Sequence, residues 1–298
     1  MPEPLRRFLV AAFAVLTAVS GRAAASAAFR LFTTPLGGRR VLIEGRRLET
    51  AKAILESARR EDPGGVATWV WETGDEVSTV ILVHGWTSRA LYMTGFVAPL
   101  RAAGYRVVAF DFPGHGESSG NQLTFDRAGL IAVKLANQYG NAVLVGHSFG
   151  ASISVLAAAG APTLDASPEV RALVLVAGAD ELSDVTQRFA DTLKLKPAVK
   201  ALIDHRLEKL GGDTIGRFSG VVGVGLADLP TLLIHDRTDS IVPFSDAERI
   251  ASQTHAELVE VTRLGHNRIL YASEVHEHVI SFLETHLQVN EDPAEITA

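Results

Sequence analysis

The chain of 298 residues contains no cysteine. Disulfides, thiolate catalysis and cysteine-based metal sites are excluded together, so the fold must hold by packing alone. A basic excess is lacking too: 28 Lys and Arg stand against 34 Asp and Glu, a formal charge of −6. That balance argues against nucleic acid, which needs clustered cations on one face. No block of like charge is long enough to read as a tail. The apolar run from Phe8 to Val19 is too short for a membrane span of about 20 residues, and Arg22 interrupts it. Neither glycine, at 26, nor proline, at 12, is abundant enough to suggest a fibrous or disordered class. What is present, 47% hydrophobic and 21% charged residues, suffices for a well-buried core in one large domain or two small ones.

The first 40 residues admit two readings. Arg6 and Arg7, the run to Val19 and the Ala23-Ala24-Ala25 pattern are the three parts of a secretory signal. The same residues suit a helix docked on the domain or lying at a membrane surface. Localisation stays open between secreted or periplasmic and cytoplasmic or membrane-peripheral. "TTPLGGRR" (Thr33 to Arg40) reads as a linker, leaving 41–298 as the domain.

Strand and helix signals then alternate. "TWVWE" (Thr68 to Glu72), "STVILVH" (Ser78 to His84), "RVVAFDF" (Arg106 to Phe112), "AVLVG" (Ala142 to Gly146), "ALVLVAG" (Ala172 to Gly178), "TLLIHD" (Thr231 to Asp236) and "AELVEV" (Ala256 to Val261) read as strands. Most are continuous apolar runs, as strands buried on both faces require. Helical spacing falls over Ala90 to Ala103, Thr124 to Tyr139 and Val275 to His286. Alternation of this kind predicts an α/β domain with a parallel sheet covered on both faces. One interval breaks the rhythm: residues 181–229 hold helix-like stretches but no strand, an insertion expected to form a lid. Gly220, Gly223 and Gly225 lie in it without the order or context of a dinucleotide loop.

"GHSFG" (Gly146 to Gly150) carries the chemistry. It has the G-x-S-x-G form between a strand and a helix, where a strained turn presents a serine hydroxyl above a sheet. A hydroxyl attacks only when a base takes its proton and a carboxylate orients that base. In the order Ser, acid, His, the base is His266 of "RLGHNRIL", and the acid is Asp236 or Asp239 after "TLLIH".

"LVHGW" (Leu82 to Trp86), "DFPGHGES" (Asp111 to Ser118), "GHSFGA", "HDRTDSIVP" (His235 to Pro243) and "GHNRIL" (Gly265 to Leu270) occur in the order found in one family. Over about residues 66 to 286 the chain resembles the α/β-hydrolase superfamily, in its bacterial esterase- and lysophospholipase-like branch. The resemblance implies a mostly parallel central sheet flanked by helices, with a small helical lid insertion. It implies Asp239 as the acid, with Asp236 capping the turn and Asp180 the position some relatives use instead. It places an oxyanion hole at the N–H groups of Trp86 and Phe149. The activity expected is hydrolysis of small-molecule carboxylic esters through an acyl-enzyme, with no metal or organic cofactor. An amidase, thioesterase or perhydrolase would use the same triad, and a non-catalytic binding protein would lack a member of it. His147 is expected to line the site. His84 and His115 are expected to organise hydrogen bonds, Glu117 and Ser118 to tie down a loop, and "HEH" (His276 to His278) to lie on a solvated helix face.

Overall fold

The apolar runs settle side by side in one sheet. The computed structural model describes residues 3–41, 43–74 and 78–287. The strands are β1 Arg59–Glu61, β2 Thr68–Trp71, β3 Thr79–Val83, β4 Arg106–Phe110, β5 Ala142–His147, β6 Val170–Val176, β7 Thr231–Asp236 and β8 Glu257–Val261. Their order is β1-β2-β4-β3-β5-β6-β7-β8, with β1 and β2 antiparallel and every pairing from β4 to β8 parallel. This is the expected mostly parallel sheet.

The helices are α1 Glu3–Val19, α2 Gly21–Phe32, α3 Gly45–Glu56, α4 Ala90–Met93, α5 Val97–Ala102, α6 Phe125–Tyr139, α7 Phe149–Ala159, α8 Leu182–Thr192, α9 Pro197–Gly211, α10 Gly220–Ala227, α11 Phe244–Gln253, α12 Gly265–Arg268 and α13 Ser273–Leu287. Successive strand residues point to opposite faces, and the two cores follow that alternation. Ile81 and Val83 of β3 meet α6 and α7 on one side, while Val80 and Leu82 meet α5 and α13 on the other. α1, α2 and α9 share a third cluster.

Three differences from the sequence reading have clear causes. The single helix expected over 90–103 is broken at residues 94–96, where a Cβ on Gly95 would press on the carbonyl of Leu270 at 2.5 Å. Residues 33–40 are fastened rather than strung out: Arg39 donates to the carbonyls of Gly116, Ser118 and Gly120. His276 is not on a solvated face. It is buried, its Nε2 bonds the carbonyl of Leu270 at 3.0 Å, and its ring meets Phe96 edge-on, whereas His278 is exposed.

Candidate active site

The turn from β5 into α7 is tight because glycine flanks it. A Cβ on Gly150 would collide with the carbonyl of Val83, and one on Gly146 with the carbonyl of Gly150. Between them Ser148 sits at φ 54°, ψ −118°. For a residue with a side chain such a conformation costs about 1–3 kcal/mol, held only by its surroundings. Here the Ser148 N–H is fixed to the carbonyl of Val176 at 2.9 Å. Ser148 occupies the N-cap of α7, yet its hydroxyl caps nothing.

The loop after β7 holds a carboxylate. Asp239 accepts the N–H groups of Ile241 at 2.7 Å and Val242 at 3.1 Å, and its other oxygen accepts from His266 Nδ1 at 2.7 Å. Its side chain is fully buried, that of His266 is 11% exposed. Burial pushes the Asp239 carboxyl up, but the His266 bond and the two N–H groups outweigh it and leave it below the usual carboxylate range. An ionised carboxylate only accepts, so Nδ1 carries the proton of this bond. Asp236 braces this arrangement. One oxygen takes the N–H and hydroxyl of Thr238, the other the N–H groups of Leu264 and Gly265, so it spans the acid loop and the histidine loop. His235, which the sequence reading passed over as strand, lies below, bonding Val242 O at 3.0 Å.

Asp180 is elsewhere engaged. One of its oxygens pairs with Arg249 and the other accepts the Val221 N–H at 3.0 Å. His147 does not line the site, contrary to expectation. It is 2% exposed, and Nε2 donates to the main-chain oxygen of His266 at 2.8 Å. The turn that lifts Ser148 outward turns its neighbour inward, beneath the histidine loop.

The loop after β3 is held by neutral imidazoles. His84 Nε2 accepts the Phe112 N–H at 2.9 Å, and His115 Nε2 accepts the Thr87 N–H at 3.1 Å. Burial lowers both rings to about 3, so each stays an acceptor. Asp111, missed from the sequence although it opens a quoted motif, accepts the N–H groups of Ala90 at 2.6 Å and Glu117 at 2.7 Å. Ser118 bonds the Asp111 carbonyl and the Ala67 N–H, whereas the Glu117 side chain is exposed, pairing with Arg60 at 3.6 Å, and its main chain is held by Asp111. Among the described residues the N–H groups of Trp86 and Phe149 have no acceptor. Trp86, Ser148 and Phe149 all border a cavity of about 510 Å³. No cluster of three or more His, Asp or Glu among the described residues is placed to hold a metal ion.

A model described as the alpha/beta hydrolase family matches residues 80–277. An uncharacterized protein of Bacillus subtilis is 25% identical over 216 residues, 70% of this chain and 67% of that one. A pyrethroid hydrolase of Sphingobium wenxiniae is 40% identical over 88 residues, 27% of this chain and 31% of the relative. Among solved structures, an esterase of Pyrococcus furiosus superposes with a TM-score of 0.60 at 22% identity, covering 86% of this chain and 97% of the other. At that identity the likeness is one of fold.

Proposed function

The chain belongs to the alpha/beta hydrolase family, and from that premise we propose that it is a serine hydrolase cleaving carboxylic esters. The observation that carries this reading is the 2.7 Å bond that His266 Nδ1 donates to a buried Asp239, on a loop whose main chain is bonded by His147, the neighbour of a serine whose hydroxyl caps nothing. The pyrethroid hydrolase among its relatives supports hydrolase chemistry.

Ser148 Oγ attacks the ester carbonyl as His266 Nε2 takes its proton, forming a C–O bond and an oxyanion. Asp239 holds the imidazole in the right tautomer and stabilises its charged form. The N–H groups of Trp86 and Phe149 receive the oxyanion, and each such donor contributes on the order of 10²–10³ in rate. The first turn of α7 adds its dipole. Collapse breaks the ester C–O bond, and the proton passes from His266 to the departing alcohol. Water, deprotonated in turn by His266, then releases the acid and restores the serine.

Turnover of nitrophenyl butyrate tests this. Wild type should be active and Ser148→Ala slower by about 10⁴-fold or more. A fluorophosphonate should add its phosphonyl group at Ser148, the P–F bond breaking and fluoride leaving as the Oγ–P bond forms. Equal turnover by the two proteins would remove the nucleophile assignment.

A further inference from the structure

Catalysis uses only the floor of the 510 Å³ cavity, and its walls include an element no triad requires. Leu5 of α1 and Leu31 and Phe32 of α2 line the chamber that Ser148 borders. The two helices are built in at both ends. On α2, Ala24, Ala25, Ala28 and Phe29 are buried against Val199, Ile203 and Leu207, residues of α9. Small residues let the two helices approach, and Phe13 brings α1 into the same cluster. Ser20 joins α1 to α2 and caps the second helix through the Ala23 N–H at 3.2 Å. At the far end the Phe32 ring meets Phe189 of α8 edge-on at 5.1 Å, and the carbonyl of Thr33 accepts the Leu123 N–H at 2.8 Å. Leu123, Phe189 and Leu207 line the chamber themselves, so this wall is clamped to the others.

The wall is hydrocarbon. Thr33 and Thr34 follow Phe32, but their hydroxyl protons are spent on the carbonyls of Phe29 at 3.0 Å and Arg30 at 2.6 Å. The charged lining groups, Glu181 and Arg188, belong to the α8 side. The volume lies in the range of small-molecule sites, far beyond the need of an acetyl group. We propose that α1 and α2 form the acyl wall of the substrate chamber, and that the substrates are esters of extended alkyl acids. The proposal rests on the hydrolase reading for its chemistry but not for the binding of the chain.

The test compares kcat/KM for nitrophenyl acetate and octanoate in wild type, Leu31→Trp, which fills the chamber, and Leu5→Glu, which brings a charge to it from a partly exposed position. Wild type should gain about fourfold for each methylene the chamber buries. Both variants should lower the octanoate-to-acetate ratio at least tenfold; should Leu31→Trp fail to fold, Leu5→Glu decides. Unchanged ratios overturn the proposal. Binding of a fluorescent fatty acid to Ser148→Ala, with and without Leu31→Trp, reads the wall without chemistry. Loss of binding in a protein that cleaves no ester keeps the wall and removes the hydrolase. Ester cleavage with no preference for length does the reverse.

Discussion

Acid should unfold this protein earlier than its carboxylates alone would dictate. Three buried imidazoles, His84, His115 and His147, are held by burial at about 3 against an ordinary value of 6.5. Two of them accept main-chain N–H groups, so a proton there would set donor against donor. On unfolding below pH 6.5 each takes up a proton. Each therefore contributes stability that is whole above pH 6.5 and drains away as pH falls toward 3. Between pH 7 and pH 5 the loss is about 2 kcal/mol per ring, on the order of 6 kcal/mol in all. That is comparable with the entire stability of many domains, about 5–15 kcal/mol. Asp111 and Asp246 work in the opposite direction, since burial raises both above the usual carboxylate range and their protonation favours the fold. Urea unfolding at pH 7, 6 and 5, with amplitudes checked for two-state behaviour, measures the net slope. His115→Gln should unfold at lower urea at pH 7 yet lose about a third less on acidification. A stability flat to within about 1 kcal/mol from pH 7 to 5 would refute the neutral-imidazole argument.

The site and the packing make further predictions. Asp239→Asn should lower kcat on nitrophenyl butyrate by about 10⁴-fold through the wrong histidine tautomer, whereas Asp180→Asn should cost thermal stability, by removing the buried one of the carboxylates that hold Arg249, with kcat little changed. Ser148→Gly should melt above Ser148→Ala, reversing the usual order, because only glycine relieves the positive φ, a difference of about 1–2 kcal/mol by calorimetry. Gly150→Ala should not yield folded protein, as its Cβ meets main chain at Val83. Gly225→Ala, open on its surface and inside α10, should stabilise by up to about 1 kcal/mol in urea unfolding.

The central strands were legible because they are buried on both faces and therefore apolar at every position. β1 was not, since "RRE" has no apolar pattern and becomes a strand only by pairing Arg59, Arg60 and Glu61 with Val70, Trp69 and Thr68. The break at Gly95 was hidden for a related reason: the carbonyl that crowds it comes from Leu270, far along the chain. Ser148, Asp239 and His266 could be named because they stand in order within recognisable strings. His147 and His276 were misjudged because their fate depends on what packs over them, the His266 main chain in one case and Phe96 in the other. The role of Gly223 is likewise invisible in one dimension; it lets α10 lie against Val155 of α7.

The packing of α1 and α2 on α9 also has a consequence in time. Their apolar faces are made first, but Leu193, Val199, Ile203 and Leu207, which cover them, emerge from the ribosome about 160 residues later. At about 5–20 residues per second that is a delay of roughly 8–30 s. Throughout it the nascent chain displays an unpartnered apolar helix behind Arg6 and Arg7. Those helices wait for a partner surface that does not yet exist.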